Sequence, residues 1–206
     1  MKKAIISEVK ATDKHQQLFR GRSVAMRMMS AIYKVEGQMY MYRCLNTLFE
    51  QTAELDHEVK VDKSSSQATY DEFVSIVQPF LDTIWASADA FPPVISNIID
   101  FSKLISEDRF PGNGSKIALI NFVFLRFFSA VVVSPASFGF EPPKPISQFG
   151  NTFLMNLSKA ISLLANSLFS EIQESPFTPL FKKNSEKCMA FLQEISVNIY
   201  ITIYIV

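Results

Sequence analysis

A run of apolar residues with one arginine at its centre is the feature that most constrains this chain. The run covers residues 121–135, NFVFLRFFSAVVVSP, and places Arg126 among phenylalanine, valine and leucine side chains. A helix with this pattern is apolar on nearly all sides, which is typical of a segment buried in a larger domain. A buried guanidinium stays charged and carries five donors, so oxygens from elsewhere in the chain must bind it. Arg126 is therefore either a structural ion pair that joins two helices or a group that fixes a functional element.

The same run raises the question of a membrane span. Residues 117–133 nearly reach the length needed to cross a bilayer, but they include Asn121 and, in the middle, Arg126. A buried helix with no transmembrane segment is the better prediction. The amino end is not a secretory signal, since the short apolar run after Lys3 is soon interrupted by charged residues. Cys44 and Cys188 lie far apart in apolar helical contexts, which favours reduced core residues of a cytoplasmic protein.

Composition indicates one domain with a substantial core. The chain has 206 residues, of which 48% are hydrophobic and 13% aromatic. Twenty basic residues balance twenty acidic ones, so no overall field recruits nucleic acid or an anionic membrane. A charged partner would have to be bound by a local patch.

Periodicity predicts an all-α fold with several helices. Val24, Met28, Ile32, Val35 and Met39 recur at three- and four-residue spacing after a suitable N-cap at residue 23, which predicts a long helix towards residue 49 with a bend at position 37. Residues 52–69 are polar and predict a surface loop. Further helices are predicted at about residues 3–12, from 70 to the prolines at 92–93, from there to 104, at 115–133, at 153–168 and at 188–195.

The helix predicted at 153–168 carries a second face. Lys159, Leu163 and Asn166 are four and seven residues apart, so they share a side turned away from the main apolar stripe. Such a face can bind a partner or can simply be solvated.

Motifs for intrinsic catalysis are missing. The sequence contains no GxxxxGK[ST], GxGxxG, GxSxG or HExxH. His15 and His57 are isolated from the cysteines, so no metal site is predicted. The chain is not expected to be an enzyme by itself.

Several short segments together resemble one family. FLRF at 124–127 followed by VVVSP at 131–135 resembles the FLR-x-x-x-PA-x-x-SP signature of the Ras GTPase-activating domain, and LFRGRSVA at 18–25 is similar to that family's LFRGNSLA finger motif. KVEGQMYMYRCL at 34–45, the FPP and FP turns at 91–93 and 110–111, and SKAISLLAN at 158–166 also resemble family segments. Their order and spacing agree over residues 18–195, and the family fold is all-helical.

The resemblance implies a chemistry. Activators of this family insert an arginine into a GTP-bound Ras-type GTPase to neutralise charge that builds on the phosphoryl oxygens. Arg20 matches this finger, and Arg126 matches the family arginine that holds carbonyls of the finger loop. The implied GTPase-binding positions are Phe19, Leu125, Lys159 and Asn166. The resemblance implies no cofactor bound by this chain, since GTP and Mg²⁺ belong to the partner. It also implies a cytoplasmic protein that its partner recruits to the inner face of the plasma membrane.

The sequence also departs from the family pattern. Ala130 replaces the proline of the Pro-Ala pair, Thr152 replaces an arginine, and Arg22 stands where the family often has Asn or Thr. Only nineteen residues precede Arg20, which predicts an amino end shortened relative to a full catalytic domain. The domain is predicted at residues 1–196, and the apolar tail at 197–206 has no family counterpart.

Three functions are consistent with these observations. The first is an active GTPase activator, favoured by the presence of both arginines. The second is a catalytically inactive relative that binds a small GTPase as a scaffold or effector, favoured by the substitutions at Ala130 and Thr152 and by the short amino end. The third is a helical interaction module with no GTPase partner.

Overall fold

The computed structural model describes residues 1–168 and 174–196, so the predicted apolar tail at 197–206 lies outside the described residues. The described residues form helices and no strand, as the sequence predicts. The α-helices are α1 (Lys2–Ala11), α2 (Val24–Glu36), α3 (Gln38–Ala53), α4 (Gln67–Trp85), α5 (Pro93–Arg109), α6 (Gly114–Ile120), α7 (Ser129–Val133), α8 (Gln148–Ser167) and α9 (Thr178–Glu194). A π-helix, Asn121–Phe128, joins α6 to α7, and short 3₁₀ turns occupy His15–Gln17, Ala88–Ala90 and Pro135–Phe138.

Serine caps begin three of the helices. Ser23 accepts a hydrogen bond from the Met26 amide at 3.1 Å, and Ser66 and Ser147 cap α4 and α8 in the same way. Each bond satisfies one of the amide groups that a first helical turn leaves unpaired. Pro93 begins α5, where its missing N–H costs nothing.

The central helix, Gly114–Val133, comprises α6, the π-helix and α7 and lies inside the domain. α5 packs along α6, α8 packs on the π-helix and α7, and α1 packs against α5. Within the described residues this is the one helix with the length and hydropathy of a membrane span, and 67% of the span is buried by the rest of the domain. That burial agrees with the predicted core helix.

The face of α2 that enters the core is not the one marked by its apolar spacing. Met26, Met29 and Tyr33 are buried, whereas Val35 of the predicted stripe is 74% exposed. Met39, which the structure places at the start of α3, is 79% exposed. The Tyr33 ring packs 4.7 Å from that of Phe127, and its hydroxyl donates to the carbonyl of Phe122 at 2.9 Å. Contacts with the central helix therefore select the buried side of α2.

Gly37 divides the long predicted helix into α2 and α3. A Cβ built at this position would lie 2.6 Å from the carbonyl oxygen of Tyr33 and 2.8 Å from the ring of Phe127. The junction therefore approaches the central helix too closely for a side chain, which explains the bend.

The predicted surface loop after α3 is partly wrong. Val59 and Val61 are buried in the core. The Asn156 side chain of α8 accepts from the Val61 amide at 2.9 Å and donates to the Val61 carbonyl at 3.0 Å. This paired bond fixes the middle of the connection, which the polar composition around it does not indicate.

Candidate functional site

The site is built on a loop of residues 18–23, called here the Arg20 loop. Leu18 and Phe19 are completely buried, whereas Arg20 is exposed directly after them. The Phe19 ring packs 4.5 Å from that of Phe122 on the central helix, and its backbone adopts a left-handed conformation with φ 59°. Such a conformation is unfavourable for a residue with a side chain and persists only where the surroundings impose it. The loop is thus anchored at its base and turned sharply at the residue before Arg20.

Arg126 holds the loop through two carbonyl groups. Its Nε donates to the carbonyl of Phe19 at 2.7 Å, and its Nη2 donates to the carbonyl of Gly21 at 2.9 Å. These two carbonyls flank Arg20, so one guanidinium fixes the backbone on both sides of that residue. Among the described residues no carboxylate forms a salt bridge with Arg126, which argues against the simple ion pair between two helices.

Arg126 is half-buried rather than fully buried as the sequence predicts. Its partial burial lowers the pKa of the guanidinium, while the nearby Glu8 carboxylate and Tyr33 raise that pKa and Arg20 lowers it. An arginine pKa is so high that the group stays charged at any working pH. The predicted full burial of Arg126 is therefore wrong in degree, whereas its partners are the carbonyl groups that the resemblance implies.

Asn121 is a third contact that the sequence did not reveal as functional. Its buried side chain donates to the carbonyl of Leu18 at 2.8 Å. The carbonyls of residues 18, 19 and 21 are therefore all bound from the central helix. The available signal is a polar residue five positions before Arg126 in an apolar run, a feature that also argues against a membrane span.

The π-helix explains how Asn121 and Arg126 reach one loop. In an α-helix, residues five apart point about 140° away from each other. A π-helix bonds residue i to residue i+5, which brings such residues near one face. The segment Asn121–Phe128 has this form, so its two polar side chains meet the same stretch of backbone.

We expect Asn121→Ala to lower the free energy of unfolding by about 1 to 3 kcal/mol, because it leaves the Leu18 carbonyl without its donor. The measurement is urea denaturation followed by circular dichroism. Asn46→Ala on α3 is a matched control, since that half-buried asparagine donates to Glu50 on its own helix. Equal stability of the Asn121 variant and the wild type would contradict the assignment.

The far end of the Arg20 loop is tied to α1. The Ser23 hydroxyl donates to the Glu8 carboxylate while its oxygen caps α2. This places a carboxylate near Arg126, which accounts for the effect of Glu8 on the Arg126 pKa. The loop is therefore held at its start, middle and end.

The Arg20 side chain reaches across to α8. Its Nη2 donates to Oδ1 of Asn166 at 2.7 Å, and partial burial lowers the pKa of the guanidinium. Lys159 and Asn166 are both exposed, and Leu163 between them is half-buried. The predicted second face of α8 is therefore confirmed as an exposed face, and the contact joins it to the Arg20 loop.

The other predicted site residues differ in their accessibility. Leu125 is half-buried beside Arg126 on the central helix. Phe19 has no exposed surface, so its predicted place among the GTPase-binding residues is not supported by its position; its ring anchors the loop instead. Arg22 is exposed, and Ala130 and Thr152 are half-buried. The Thr152 hydroxyl donates to the carbonyl of Gln148 on its own helix at 3.3 Å, as a residue facing away from the core commonly does.

Comparison with known proteins identifies the family. Residues 62–166 match the family model RasGAP, described as GTPase-activator protein for Ras-like GTPase. The chain belongs to the RasGAP family. The match includes Leu125, Arg126, Lys159 and Asn166, whereas Arg20 precedes the matched segment.

Curated RasGAP relatives extend the similarity. The chain is 26% identical to the human protein "Ras GTPase-activating protein 2" over 207 residues, covering 92% of this chain and 24% of that protein. It is 28% identical to "Inhibitory regulator protein IRA2" of Saccharomyces cerevisiae over 167 residues, covering 79% of this chain and 5% of that protein. A Drosophila melanogaster "GTPase-activating protein" is 25% identical over 157 residues, covering 72% of this chain and 13% of that protein. The chain thus spans about a quarter or less of the length of these relatives.

Proposed function

We propose that this RasGAP domain docks on a Ras-type GTPase in its GTP-bound state and accelerates GTP hydrolysis by inserting Arg20. The observation that carries the proposal is the clamp formed by Arg126 on the carbonyls of Phe19 and Gly21. A loop held on both sides of an exposed arginine is suited to present that arginine to a second molecule. The chain would act on the active site of its partner, and GTP and Mg²⁺ would belong to that partner. The protein would be cytoplasmic, and binding to the GTPase would bring it to the plasma membrane.

The proposed mechanism is electrostatic. Negative charge shifts over the phosphoryl oxygens as the terminal phosphate of GTP is transferred to water. A permanently charged, planar guanidinium can donate two parallel hydrogen bonds to such oxygens, which a lysine cannot do. The clamp lowers the barrier further because the loop does not have to be ordered during the reaction.

The proposed docking surface comprises Leu125, Lys159 and Asn166. Leu125 lies next to the clamp residue and keeps part of its apolar surface exposed. Lys159 and Asn166 share the exposed face of α8, seven residues or about 10 Å apart along the helix axis. The surface thus combines one apolar contact, one positive charge and one amide beside the Arg20 loop.

Single-turnover GTP hydrolysis over a panel of Ras, Rap and related GTPases tests the proposal. We expect at least one member to be stimulated by several orders of magnitude, in keeping with the scale known for Ras and its activators. Absence of stimulation across the panel by a correctly folded domain would overturn it.

A binding protein without catalytic activity is the second candidate. The observations that favour it are Ala130 and Thr152, which replace the proline and the arginine of the family pattern. It predicts saturable binding to a GTP-loaded GTPase with no change in the hydrolysis rate. The same panel, measured by titration as well as by turnover, separates the two candidates.

Charge reversal at the docking face should weaken binding. Lys159→Glu replaces an exposed positive charge on the proposed surface, so we expect affinity for an acidic GTPase face to fall by about tenfold at low salt. The fold should be unaffected, because the side chain lies outside the core. The measurement is titration calorimetry at two salt concentrations.

Lys182→Glu on α9 provides the matched control, since it makes the same charge change at another exposed position. It should leave affinity within about twofold of the wild type, because Lys182 is not part of the proposed docking surface and exposed charges that do not contact the partner are screened. Equal affinities for both variants would place the docking face elsewhere.

A further inference from the structure

The Arg20 loop and the Arg20 side chain are held by different elements. The central helix binds the loop backbone through Asn121 and Arg126. The guanidinium itself is held by Asn166 on α8, with 2.7 Å between Nη2 and Oδ1. This distance is at the short end for an N–H to oxygen hydrogen bond, as expected when the donor is charged.

We infer that Asn166 is a positioning residue for Arg20, whose amide oxygen holds the guanidinium in place on the free domain and releases it to the phosphoryl oxygens of the bound GTP. The inference rests on the proposed function and deepens it, since it gives Asn166 a role through Arg20 in addition to its place on the docking face.

The end of α8 supports this role. Asn166 lies in the last turn of the helix, which ends at Ser167, and the following Leu168 amide donates to the carbonyl of Leu164. The carbonyl end of a helix carries a partial negative charge. A guanidinium that rests there is attracted by the helix end as well as by the amide oxygen.

The neutral amide of Asn166 is suited to a hydrogen bond that Arg20 must later give up for the phosphoryl oxygens. A bond to an amide oxygen uses one of five guanidinium donors, so the remaining donors can approach the phosphate before the bond breaks. An aspartate at this position would form an ion pair, which is stronger and can bind two donors at once. The side chain would then be retained on the free domain rather than released.

The first test needs no GTPase. Arginine side-chain NMR on the ¹³C,¹⁵N-labelled domain measures the rotation of the Arg20 guanidinium about its Cζ–Nη bonds. We expect slow rotation in the wild type, faster rotation in Asn166→Ala and slower rotation in Asn166→Asp. Asn151→Ala is the matched control, because this exposed asparagine lies on α8 and donates to Ser147 at the start of the same helix.

The second test separates positioning from docking. Asn166→Ala should lower the turnover of a stimulated GTPase, measured at saturating concentrations of the domain, by about three- to tenfold, the value of one ordinary hydrogen bond. This loss should come in addition to any loss of affinity from its docking contact. Asn166→Asp should lower turnover further, because the ion pair with the aspartate would retain the Arg20 guanidinium on the domain. A loss confined to affinity, with turnover unchanged, would overturn the inference and leave Asn166 as a docking contact only.

The two tests distinguish failure of the inference from failure of the proposed function. Unchanged guanidinium rotation in Asn166→Ala, in a domain that stimulates hydrolysis, would overturn only the positioning role. A domain that restrains Arg20 as expected but stimulates no GTPase would overturn the proposed function and, with it, the catalytic use of the contact.

Discussion

Arg20→Ala should lower stimulated GTP hydrolysis by about 10³ to 10⁵, a range taken from Ras and its activators rather than derived from this chain. The interaction it removes forms only as charge develops on the phosphate, so the loss should appear in turnover. Affinity for the GTP-bound GTPase should change by less than about tenfold. Single-turnover hydrolysis and titration against the same GTPase measure the two quantities separately.

Arg22→Ala is the matched control for this prediction. Arg22 is an exposed arginine two residues further along the same loop and directly precedes the cap residue Ser23. Its backbone carbonyl is not one of the three that the central helix binds. We expect nearly intact turnover and at most a modest loss of affinity. Reversed effects of the two variants would mean that Arg22 is the inserted residue, and an effect of neither, with binding preserved, would favour the inactive binding protein.

Arg126→Ala should have the second largest effect, because it releases the backbone on both sides of Arg20. A displacement of about 1 Å at a reacting group can cost about a hundredfold in rate, so we expect stimulation to fall at least that far. Two charge-assisted bonds to carbonyls are also lost. Since the side chain is half-buried, the free energy of unfolding should fall by about 1 to 3 kcal/mol, less than for a fully buried ion pair.

Arg126→Lys tests whether geometry or charge is responsible. A lysine keeps the positive charge but lacks the planar fork, so it cannot readily donate to the carbonyls of Phe19 and Gly21 together. We expect it to recover most of the stability and little of the stimulation, measured by urea denaturation and single-turnover hydrolysis. Full activity of either Arg126 variant with an unchanged unfolding midpoint would contradict the clamp.

Local rules predicted most of the helices. Apolar spacing, serine caps and prolines at helix starts act within a few residues of each other, so α1, the start of α2, α5 and the central helix were recoverable from the sequence. The same rules failed for the buried side of α2. Two apolar stripes run along this helix, and only the approach of Phe127 and Phe122 to Tyr33 decides which one is covered.

The sequence by itself determined that a charged side chain at Arg126 must find oxygen partners inside an apolar helix, and its motifs placed the chain in the RasGAP family, which the family match confirms. It could not determine that this helix widens into a π-helix, because that choice depends on how neighbouring helices pack around residues 121–128. The contacts of Asn121 with Leu18 and of Asn166 with Arg20 join residues more than a hundred positions apart. Such contacts are fixed by the tertiary structure, since no local spacing in the chain encodes the distance between two separate elements.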